Sequence, residues 1–353
     1  MHMKSRKIYS FLLPLLTIPI LVGFYLSDDK VKSTERVNGV CFVAPRHEVS
    51  TEHIDPIVKI NANWIAVTPY AFSQEGKPEI NFNHNRQWWG ERVDGAIQTV
   101  IAAKKLGMKI MMKPHIWVRG QGWAGEFDLN NEADWKKWET DYSKYILTYA
   151  QISDSLNVEL LCIGTEYKIA VQKRPEYWKQ LIKEVRAVYK GQLTYAANWD
   201  NYPNVTFWSQ LDYIGVDAYF PICKEKTPKV YVLKQNWKKV KSELEVFSEE
   251  YEKPILFTEY GYRSMDYTAG GHWEMDRKEG VLNMEGQKNS LEALFNTYWD
   301  EPWFAGGFLW KWHAKHPEHG GENDSRYTPQ NKPAEQVVKL WYGKNQGKGK
   351  NTL

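Results

Sequence analysis

The chain has 353 residues, 17 of them tryptophan, and a formal net charge of +3 at pH 7. Because acidic and basic residues are interspersed, the composition indicates neither a nucleic-acid-binding groove nor a polyanionic partner. Three cysteines are too few for a disulfide framework, and Cys41 and Cys162 lie inside predicted strands, as small buried residues do.

Residues 1–30 are predicted to be a signal peptide or a signal-anchor. Lys4, Arg6 and Lys7 precede residues 8–26, which contain no charged side chain and could span a bilayer. The chain is therefore expected to be exported, with the basic flank in the cytoplasm. It would be membrane-anchored facing outward if uncleaved, and periplasmic or extracellular if cleaved. No Ala-x-Ala site follows, which favours the anchor, and residues 31–38 are expected to be a polar linker.

From residue 39 to residue 342, short apolar runs alternate with amphipathic stretches, as in βα units around a parallel sheet. Strands are predicted at residues 40–44, 64–70, 109–114, 159–164, 193–197, 213–217, 255–258 and 306–309. Helices are predicted near residues 51–60, 89–106, 133–156, 175–189, 208–211, 230–251, 284–299 and 333–341. This spacing favours an α/β fold with a single (β/α)8 TIM barrel over a doubly wound sheet. Residues 343–353 are predicted to be a disordered basic tail.

Two long loops, residues 263–283 and 313–332, are predicted to rim the barrel mouth. The second loop carries His313, His316 and His319 at a spacing that a metal site could use. Pro317 disfavours the shared helical face that such a site would need, so a solvated loop is preferred. No metal and no cofactor are expected.

Two glutamates each close a short hydrophobic strand. Glu166 follows residues 160–165, and Glu259 follows residues 255–258. Because the carboxyl ends of parallel strands meet at one mouth of a barrel, both carboxylates are expected there. Two converging carboxylates are the minimal equipment for hydrolysing a glycosidic bond. The pattern therefore predicts a glycoside hydrolase, although a glutamate in such a position can also be a salt-bridge partner or a helix cap.

Polar and aromatic side chains also follow most of the other predicted strands. We predict that the substrate contacts Tyr70, His115, Trp117, Asn198, Trp199, Tyr219 and Trp310. Flat aromatic faces and hydrogen-bonding groups suit a carbohydrate. The structural alternatives are core packing for Trp310 and a structural hydrogen bond for His115. Outer sugar subsites and ordinary loop packing both remain open for Trp88, Trp89, Trp123 and Trp273.

The chain resembles the clan A glycoside hydrolases, which are retaining barrel enzymes with the acid/base after strand four and the nucleophile after strand seven. Within that clan it is most similar to glycoside hydrolase family 113, whose characterised members are β-1,4-mannanases. The resemblance spans residues 39–342. It is carried by the order of the segments Lys113-Pro-His-Ile-Trp117, Ile163-Gly-Thr-Glu166, Asp217-Ala-Tyr219 and Thr258-Glu-Tyr-Gly261. Most clan members have asparagine before the acid/base, whereas this chain has Thr165, as family 113 does.

The resemblance implies an endo-β-1,4-mannanase that works by double displacement. Glu259 would attack the anomeric carbon, while Glu166 would protonate the leaving oxygen and later deprotonate water, so that configuration is retained. These roles require hydrogen bonds to Glu259, for which Tyr219 is the candidate, and a drier setting that raises the pKa of Glu166. Asn198 is our candidate for binding the substrate 2-hydroxyl. The expected partner is a β-linked oligo- or polysaccharide, and the protein is expected to be a monomer.

Three alternatives stay open. Another clan A β-glycanase and an exo-β-mannosidase would use the same catalytic pair, since substrate identity resides in loops and subsite aromatics. A non-catalytic, membrane-tethered glycan-binding barrel is the third. The presence of both carboxylates argues against this third alternative, because binding alone needs only stacking planes and hydrogen bonds.

Overall fold

The computed structural model describes residues 35–271 and 281–344. The predicted signal segment, residues 31–34 of the linker, residues 272–280 of the first long loop and residues 345–353 lie outside these ranges. Within the described part of the chain, no helix has the length and apolar character needed to cross a membrane.

The eight predicted apolar runs form strands, and three further short strands accompany them. In chain order these are β1 (Val37–Phe42), β2 (Trp64–Val67), β3 (Tyr70–Gln74), β4 (Asn81–Phe82), β5 (Lys109–Met112), β6 (His115–Arg119), β7 (Leu160–Thr165), β8 (Gln192–Asn198), β9 (Ile214–Asp217), β10 (Ile255–Tyr260) and β11 (Phe304–Trp312). Strands β1, β2, β5, β7, β8, β9, β10 and β11 are parallel neighbours in that order, and β11 pairs with β1 to close the barrel. The predicted eight-stranded barrel is confirmed.

Alternate strand residues fill the barrel interior. The inner cluster comprises Val37, Cys41, Trp64, Ala66, Met111, Leu160, Cys162, Ala196, Leu256 and Phe308. The residues between them face outward and join the larger core shared with the helices. Side chains two positions beyond Met111 and Leu256, namely Lys113 and Thr258, continue the inner face towards the carboxyl-end mouth.

The helices surround the barrel and bury many of the aromatic residues. They are α1 (Thr51–Lys59), α2 (Val93–Lys105), α3 (Glu132–Ser155), α4 (Lys168–Lys173), α5 (Pro175–Val188), α6 (Val230–Tyr251), α7 (Met284–Tyr298) and α8 (Pro333–Gly343). The buried face of α3 presents aromatic residues three or four positions apart, including Trp138, Tyr142 and Tyr145. The fully buried tryptophans are Trp138, Trp178, Trp208, Trp237, Trp299 and Trp312. A large share of the tryptophans therefore serves packing.

Two predicted helices differ from the observed elements. Residues 208–211 form only a 3-10 turn, Trp208–Gln210. The predicted helix 89–106 is interrupted at Arg92, whose extended backbone separates the 3-10 turn Trp89–Glu91 from α2.

A small second sheet, here called the accessory sheet, lies beyond the barrel and is not predicted by the sequence patterns. It has the order β4-β3-β6, with β3 and β6 parallel. The predicted strands 64–70 and 109–114 end early because Pro69 and Pro114 have no N–H to continue the ladder. The chain resumes after each proline as β3 or β6, so two barrel strands feed the accessory sheet.

Candidate active site

Glu259 faces the mouth of the barrel because β10 contains a bulge beside it. On the neighbouring strand β9, Val216 pairs with Phe257. The next residue of β9, Asp217, pairs with Glu259 rather than with Thr258, so β10 has one extra residue here. Thr258 also faces the mouth, where its Oγ1 donates a hydrogen bond to Asp217 Oδ1 at 2.7 Å. The bulge presents two consecutive side chains to the site, which regular alternation would not do.

The Glu259 carboxylate contacts a cation and a hydroxyl donor. Lys113 Nζ lies 2.5 Å from Oε1, and the Tyr219 hydroxyl donates to Oε2 at 2.8 Å. His115 Nε2 is 3.7 Å from Oε1. Because Glu259 is only 6% exposed, these neighbours fix the orientation of both carboxylate oxygens.

Lys113 is fully buried and bridges two carboxylates. Its Nζ lies 3.2 Å from Asp217 Oδ1 in addition to its contact with Glu259. Burial by itself lowers the pKa of Lys113, but the charges of Asp217 and Glu259 raise it well above its usual value. Burial, reinforced by the charge of Glu259 and opposed by Lys113, raises the pKa of Asp217 to about 7. A single lysine thus forms ion pairs with two carboxylates.

The sequence patterns do not by themselves assign a role to Lys113 or Asp217. The alternation of inward-facing and outward-facing residues along a strand is the signal that could have identified them. Lys113 stands two positions after the interior Met111, and Asp217 is a charged residue ending an apolar strand. A charge in either position is buried, and buried charges are normally paired.

Glu166 directly follows β7 at the same mouth. Its backbone is left-handed, with φ of 57°, and its N–H donates to the Ala196 carbonyl at 2.8 Å. The partly buried side chain accepts a hydrogen bond at Oε2 from the indole Nε1 of Trp123, at 2.6 Å. Burial, followed by the charges of Asp217 and Glu259, raises the pKa of Glu166 well above its usual value. Glu166 therefore keeps its proton to higher pH than an ordinary glutamate.

Trp310, His115 and Tyr70 form an aromatic row beside Glu259. The ring of His115 stacks on Trp310, with centroids 6.0 Å apart and planes 7° from parallel, and Tyr70 lies 5.3 Å from His115 between centroids. Burial and then the charge of Lys113 lower the pKa of His115 well below its usual value, which favours the neutral form of the ring. Its Nε2 has no hydrogen-bond partner among the residues that the structure describes. This nitrogen is available for a hydrogen bond to a ligand bound beside Glu259.

A cavity of about 640 Å³ is lined by Tyr70 and Trp310, the two outer members of the aromatic row. Trp117 lines it and is 50% exposed. A second cavity of about 1200 Å³ shares Phe72 and Trp88 with the first and continues over the accessory sheet. Together they form a groove with aromatic faces, a shape suited to a chain of sugars. Tyr70 and Trp310 line this groove, whereas neither Glu166 nor Glu259 does.

The predicted rim loop 313–332 lines the same cavity through side chains that include His313 and His319. The rings of these two histidines stack with centroids 4.1 Å apart, while His316 Nε2 lies 3.0 Å from Glu335 Oε1. Among residues 35–271 and 281–344, no group of His, Cys, Asp or Glu side chains has the arrangement of a metal site.

The end of β8 carries two further predicted substrate contacts. Asn198 pairs in register with Asp217, and its Nδ2 donates to Asp200 Oδ1 at 3.1 Å. The ring of Trp199 packs on Phe220, with centroids 5.8 Å apart. Asn198 therefore lies at the mouth and Trp199 packs against the core. Sugar binding by these two residues stays a prediction.

The remaining tryptophans have different positions. Trp88 is 42% exposed on the groove, with the Arg46 guanidinium 4.5 Å from its ring centroid. Trp89 is buried, whereas Trp123 contacts Glu166. Trp273 lies outside the described residues.

Comparisons with known proteins agree with this geometry. The structure is similar to the GH113 β-mannanase AaManA from Alicyclobacillus acidocaldarius in complex with ManMIm, with a TM-score of 0.76 and 26% identity, covering 88% of this chain and 97% of that chain. It is also similar to a GH113 β-1,4-mannanase solved as a complex, with a TM-score of 0.74 and 24% identity, covering 88% and 99% of the two chains. A β-glucuronidase from Ruminococcus gnavus shares the fold at a TM-score of 0.59 and 13% identity, covering 87% of this chain and 50% of that one. No curated protein matches the chain.

The family model of Glycoside Hydrolase Family 113 matches residues 44–332. This range contains both glutamates and seven of the eight barrel strands. The chain therefore belongs to glycoside hydrolase family 113.

Proposed function

We propose that this protein is a retaining endo-β-1,4-mannanase in which Glu259 is the nucleophile and Glu166 the acid/base. The observation that carries the proposal is the difference between the two carboxyl environments at one barrel mouth. Glu259 contacts a buried ammonium group, whereas Glu166 has a raised pKa and an indole contact. A retaining glycosidase needs one carboxylate and one carboxylic acid at the start of its cycle.

In the first step, a Glu259 oxygen attacks the anomeric carbon as the glycosidic bond breaks. Lys113 and Tyr219 hold the carboxylate for attack through separate oxygens. Glu166 gives its proton to the leaving oxygen, so the departing sugar leaves as a neutral alcohol. In the second step, Glu166 takes a proton from water, and the water oxygen displaces Glu259 from the anomeric carbon.

The proposed substrate is a β-1,4-linked mannan or glucomannan. Two relatives of similar structure are named as β-mannanases, one of them in complex with ManMIm. The groove over the accessory sheet supports internal cleavage, because it leaves room for sugars beyond the one under attack. Trp310, Trp117 and Trp88 offer ring faces along this groove, which suits stacking on successive pyranose rings.

Product analysis on linear mannan, glucomannan, xylan and carboxymethyl-cellulose tests the proposal. We expect short manno-oligosaccharides from the first two polymers and nothing from xylan. The matched control is Glu259→Gln, which should release no product from any of them. Mannose alone as the first product would indicate an exo-β-mannosidase, and products only from xylan or cellulose would indicate another β-glycanase. Binding without products from any polymer would favour a glycan-binding barrel.

The stereochemistry is tested separately by proton NMR of the first products. Retention predicts that the β-anomer of the new reducing end appears first and mutarotates afterwards. An α-anomer as the first product would contradict the assignment of Glu259 as a nucleophile.

We further propose that residues 1–30 direct export and anchor a monomeric enzyme to the membrane, facing outward. The basic residues before the uncharged stretch 8–26 support this orientation. Cell fractionation of the full chain, with N-terminal sequencing and light scattering of the purified protein, distinguishes an anchored monomer from a cleaved or oligomeric form. Recovery from the soluble cytosolic fraction would contradict export.

A further inference from the structure

We propose that Trp123 is a positioning residue for the acid/base: its indole N–H binds Oε2 of Glu166, so that Oε1 carries the transferred proton. This inference rests on the proposed role of Glu166. It adds a residue that comes from a loop after the accessory strand β6, well away from β7 in the sequence.

The hydrogen bond determines which oxygen can hold the proton. Trp123 Nε1 lies 2.6 Å from Glu166 Oε2. An indole nitrogen is a donor only, so Oε2 must act as the acceptor in both protonation states of the carboxyl group. Oε1 accepts no hydrogen bond from the residues that the structure describes. Because the carbonyl oxygen of a carboxylic acid is a better acceptor than its hydroxyl oxygen, this bond favours the carbonyl at Oε2 and the proton at Oε1, the oxygen left available to the substrate.

The loop that carries Trp123 is folded back by glycines. Gly120 and Gly122 have φ values of 97° and 79°, which side-chain-bearing residues rarely adopt. The N–H of Gly122 donates to the Val118 carbonyl at 2.6 Å, closing a tight turn on β6. Gln121 Nε2 donates to the Glu126 carbonyl at 3.1 Å and ties the far side of the loop. These contacts hold the indole at a fixed point above the barrel mouth.

Gly125 provides the surface against which the indole rests. A Cβ at this position would lie 2.2 Å from Trp123 Cζ2 and 2.3 Å from Cη2. Real side chains do not approach this closely, so any larger residue at 125 displaces the ring or the loop. The sequence thus contains both the donor and the space that the donor requires.

The hydrogen bond from the Trp123 indole also affects the pKa of Glu166. Burial and then Asp217 and Glu259 raise the pKa of Glu166, while Lys113 and the Trp123 hydrogen bond lower it. Glu166 also interacts electrostatically with the hydroxyl of Tyr195. A hydrogen bond to an ionised acceptor is stronger than one to a neutral acceptor, so the indole favours the carboxylate. Trp123 therefore limits how far the pKa of Glu166 rises.

The reaction conserves this bond throughout. The proton moves from Oε1 to the glycosidic oxygen as the bond electrons pass to that oxygen, and the indole keeps its own hydrogen. When water attacks the glycosyl-enzyme, Oε1 receives a proton from the water and the carboxyl returns to its starting state. The indole orients the carboxyl group in both steps without exchanging a proton.

The principal test is Trp123→Phe in the full-length protein, assayed for kcat/KM against pH. Loss of the donor to the ionised form raises the pKa of Glu166, so the alkaline limb should move to higher pH by about one unit. Glu126→Gln, an exposed change in the same loop, is the matched control and should leave the limb in place. An unmoved limb in Trp123→Phe overturns the proposal.

Leaving-group dependence is the second readout. An aryl mannobioside with a dinitrophenolate leaving group needs no proton, whereas a manno-oligosaccharide does. Trp123→Phe should lose about tenfold more kcat/KM on the oligosaccharide than on the aryl substrate. Equal losses on both substrates would mean that the indole only binds sugar, and would overturn the positioning role.

Two further variants separate the possible failures. Gly125→Ala keeps the indole but displaces it, so the alkaline limb of kcat/KM should shift in the same direction as in Trp123→Phe. If the alkaline limb of Gly125→Ala is identical to that of the wild type, the result counts against the proposal. Glu166→Gln tests the underlying function. If Glu166→Gln retains wild-type activity, the proposed function fails. If it is inactive on oligosaccharides while Trp123→Phe leaves the limb unmoved, only the role of Trp123 fails.

Discussion

At the scale of residues, the site is a group of three carboxyls around one buried ammonium. Lys113 contacts Asp217 and Glu259, and the charges of both carboxylates reach Glu166. One cation cannot balance three negative charges in a buried site, so at least one carboxyl favours its protonated form. Burial is the largest cause of the raised pKa values of Glu166 and Asp217, and this imbalance of charge adds to it.

Replacing Glu259 by Gln should abolish turnover while leaving oligosaccharide binding nearly intact. The amide preserves the shape of the side chain but cannot form the glycosyl-enzyme, so kcat should fall by about a thousandfold or more. Isothermal titration with a manno-oligosaccharide and initial rates on mannan measure the two effects. Substantial residual activity would show that the nucleophile is wrongly assigned.

Replacing Asp217 by Asn should shift the pH dependence in the direction opposite to Trp123→Phe. Burial, Asp217 and Glu259 raise the pKa of Glu166, and the neutral amide removes the contribution of Asp217. Glu166 then loses its proton at lower pH, so the alkaline limb of kcat/KM should move down. An Asp200→Asn variant is the exposed control at the same mouth. An upward shift in Asp217→Asn would contradict this charge assignment.

At the scale of elements, two departures from regular geometry build the site. The extra residue in β10 turns both Thr258 and Glu259 towards the mouth. The accessory sheet then sets the aromatic row, because β3 and β6 pair Tyr70 with His115 and Phe72 with Trp117. Parallel pairing fixes which side chains lie side by side, so the accessory sheet determines the arrangement of these rings.

Trp117→Ala should weaken substrate binding without changing the chemical step. The ring is half exposed and lines the groove at a place where neither of the proposed catalytic carboxylates lines it. Loss of one stacking surface should raise KM for long manno-oligosaccharides by roughly threefold to tenfold, with kcat nearly unchanged. A matched loss of kcat with an unchanged KM would place Trp117 at the reacting sugar instead.

At the scale of the whole molecule, the two ends of the barrel sequence meet through a buried polar cluster. Asn38 of β1 donates from Nδ2 to the Tyr342 carbonyl at 3.1 Å and accepts at Oδ1 from Trp299 Nε1 at 2.9 Å. The Tyr342 hydroxyl donates to the Gly39 carbonyl at 2.7 Å. Helix α8 therefore holds β1 in place, the strand that closes the barrel. Asn38 and Tyr342, which form one of these contacts, are more than three hundred positions apart in the sequence.

Tyr342→Phe should reduce the free energy of unfolding by about 1–3 kcal/mol, because the Gly39 carbonyl and the Tyr260 hydroxyl lose a buried partner. Urea denaturation followed by tryptophan fluorescence measures the change. The control Tyr231→Phe removes a hydroxyl from a side chain that is 66% exposed, and should have no measurable effect. Equal effects of the two substitutions would contradict the proposed closure.

The amino-acid sequence by itself determined the barrel and the positions of Glu166 and Glu259. Alternating apolar runs specify strands and helices locally, and parallel strands bring their carboxyl ends to one mouth. The sequence pattern therefore predicts that the two glutamates lie at that mouth. Only the tertiary structure decided which groups contact the two carboxyls and which groups shift the pKa of Glu166. Three features join segments that are distant in sequence. They are the β10 bulge opposite β9, the ion pairs of Lys113 with Asp217 and Glu259, and the hydrogen bond from Trp123 to Glu166. Such contacts depend on register and on loop closure around glycines, and local patterns of hydrophobicity carry no information about either.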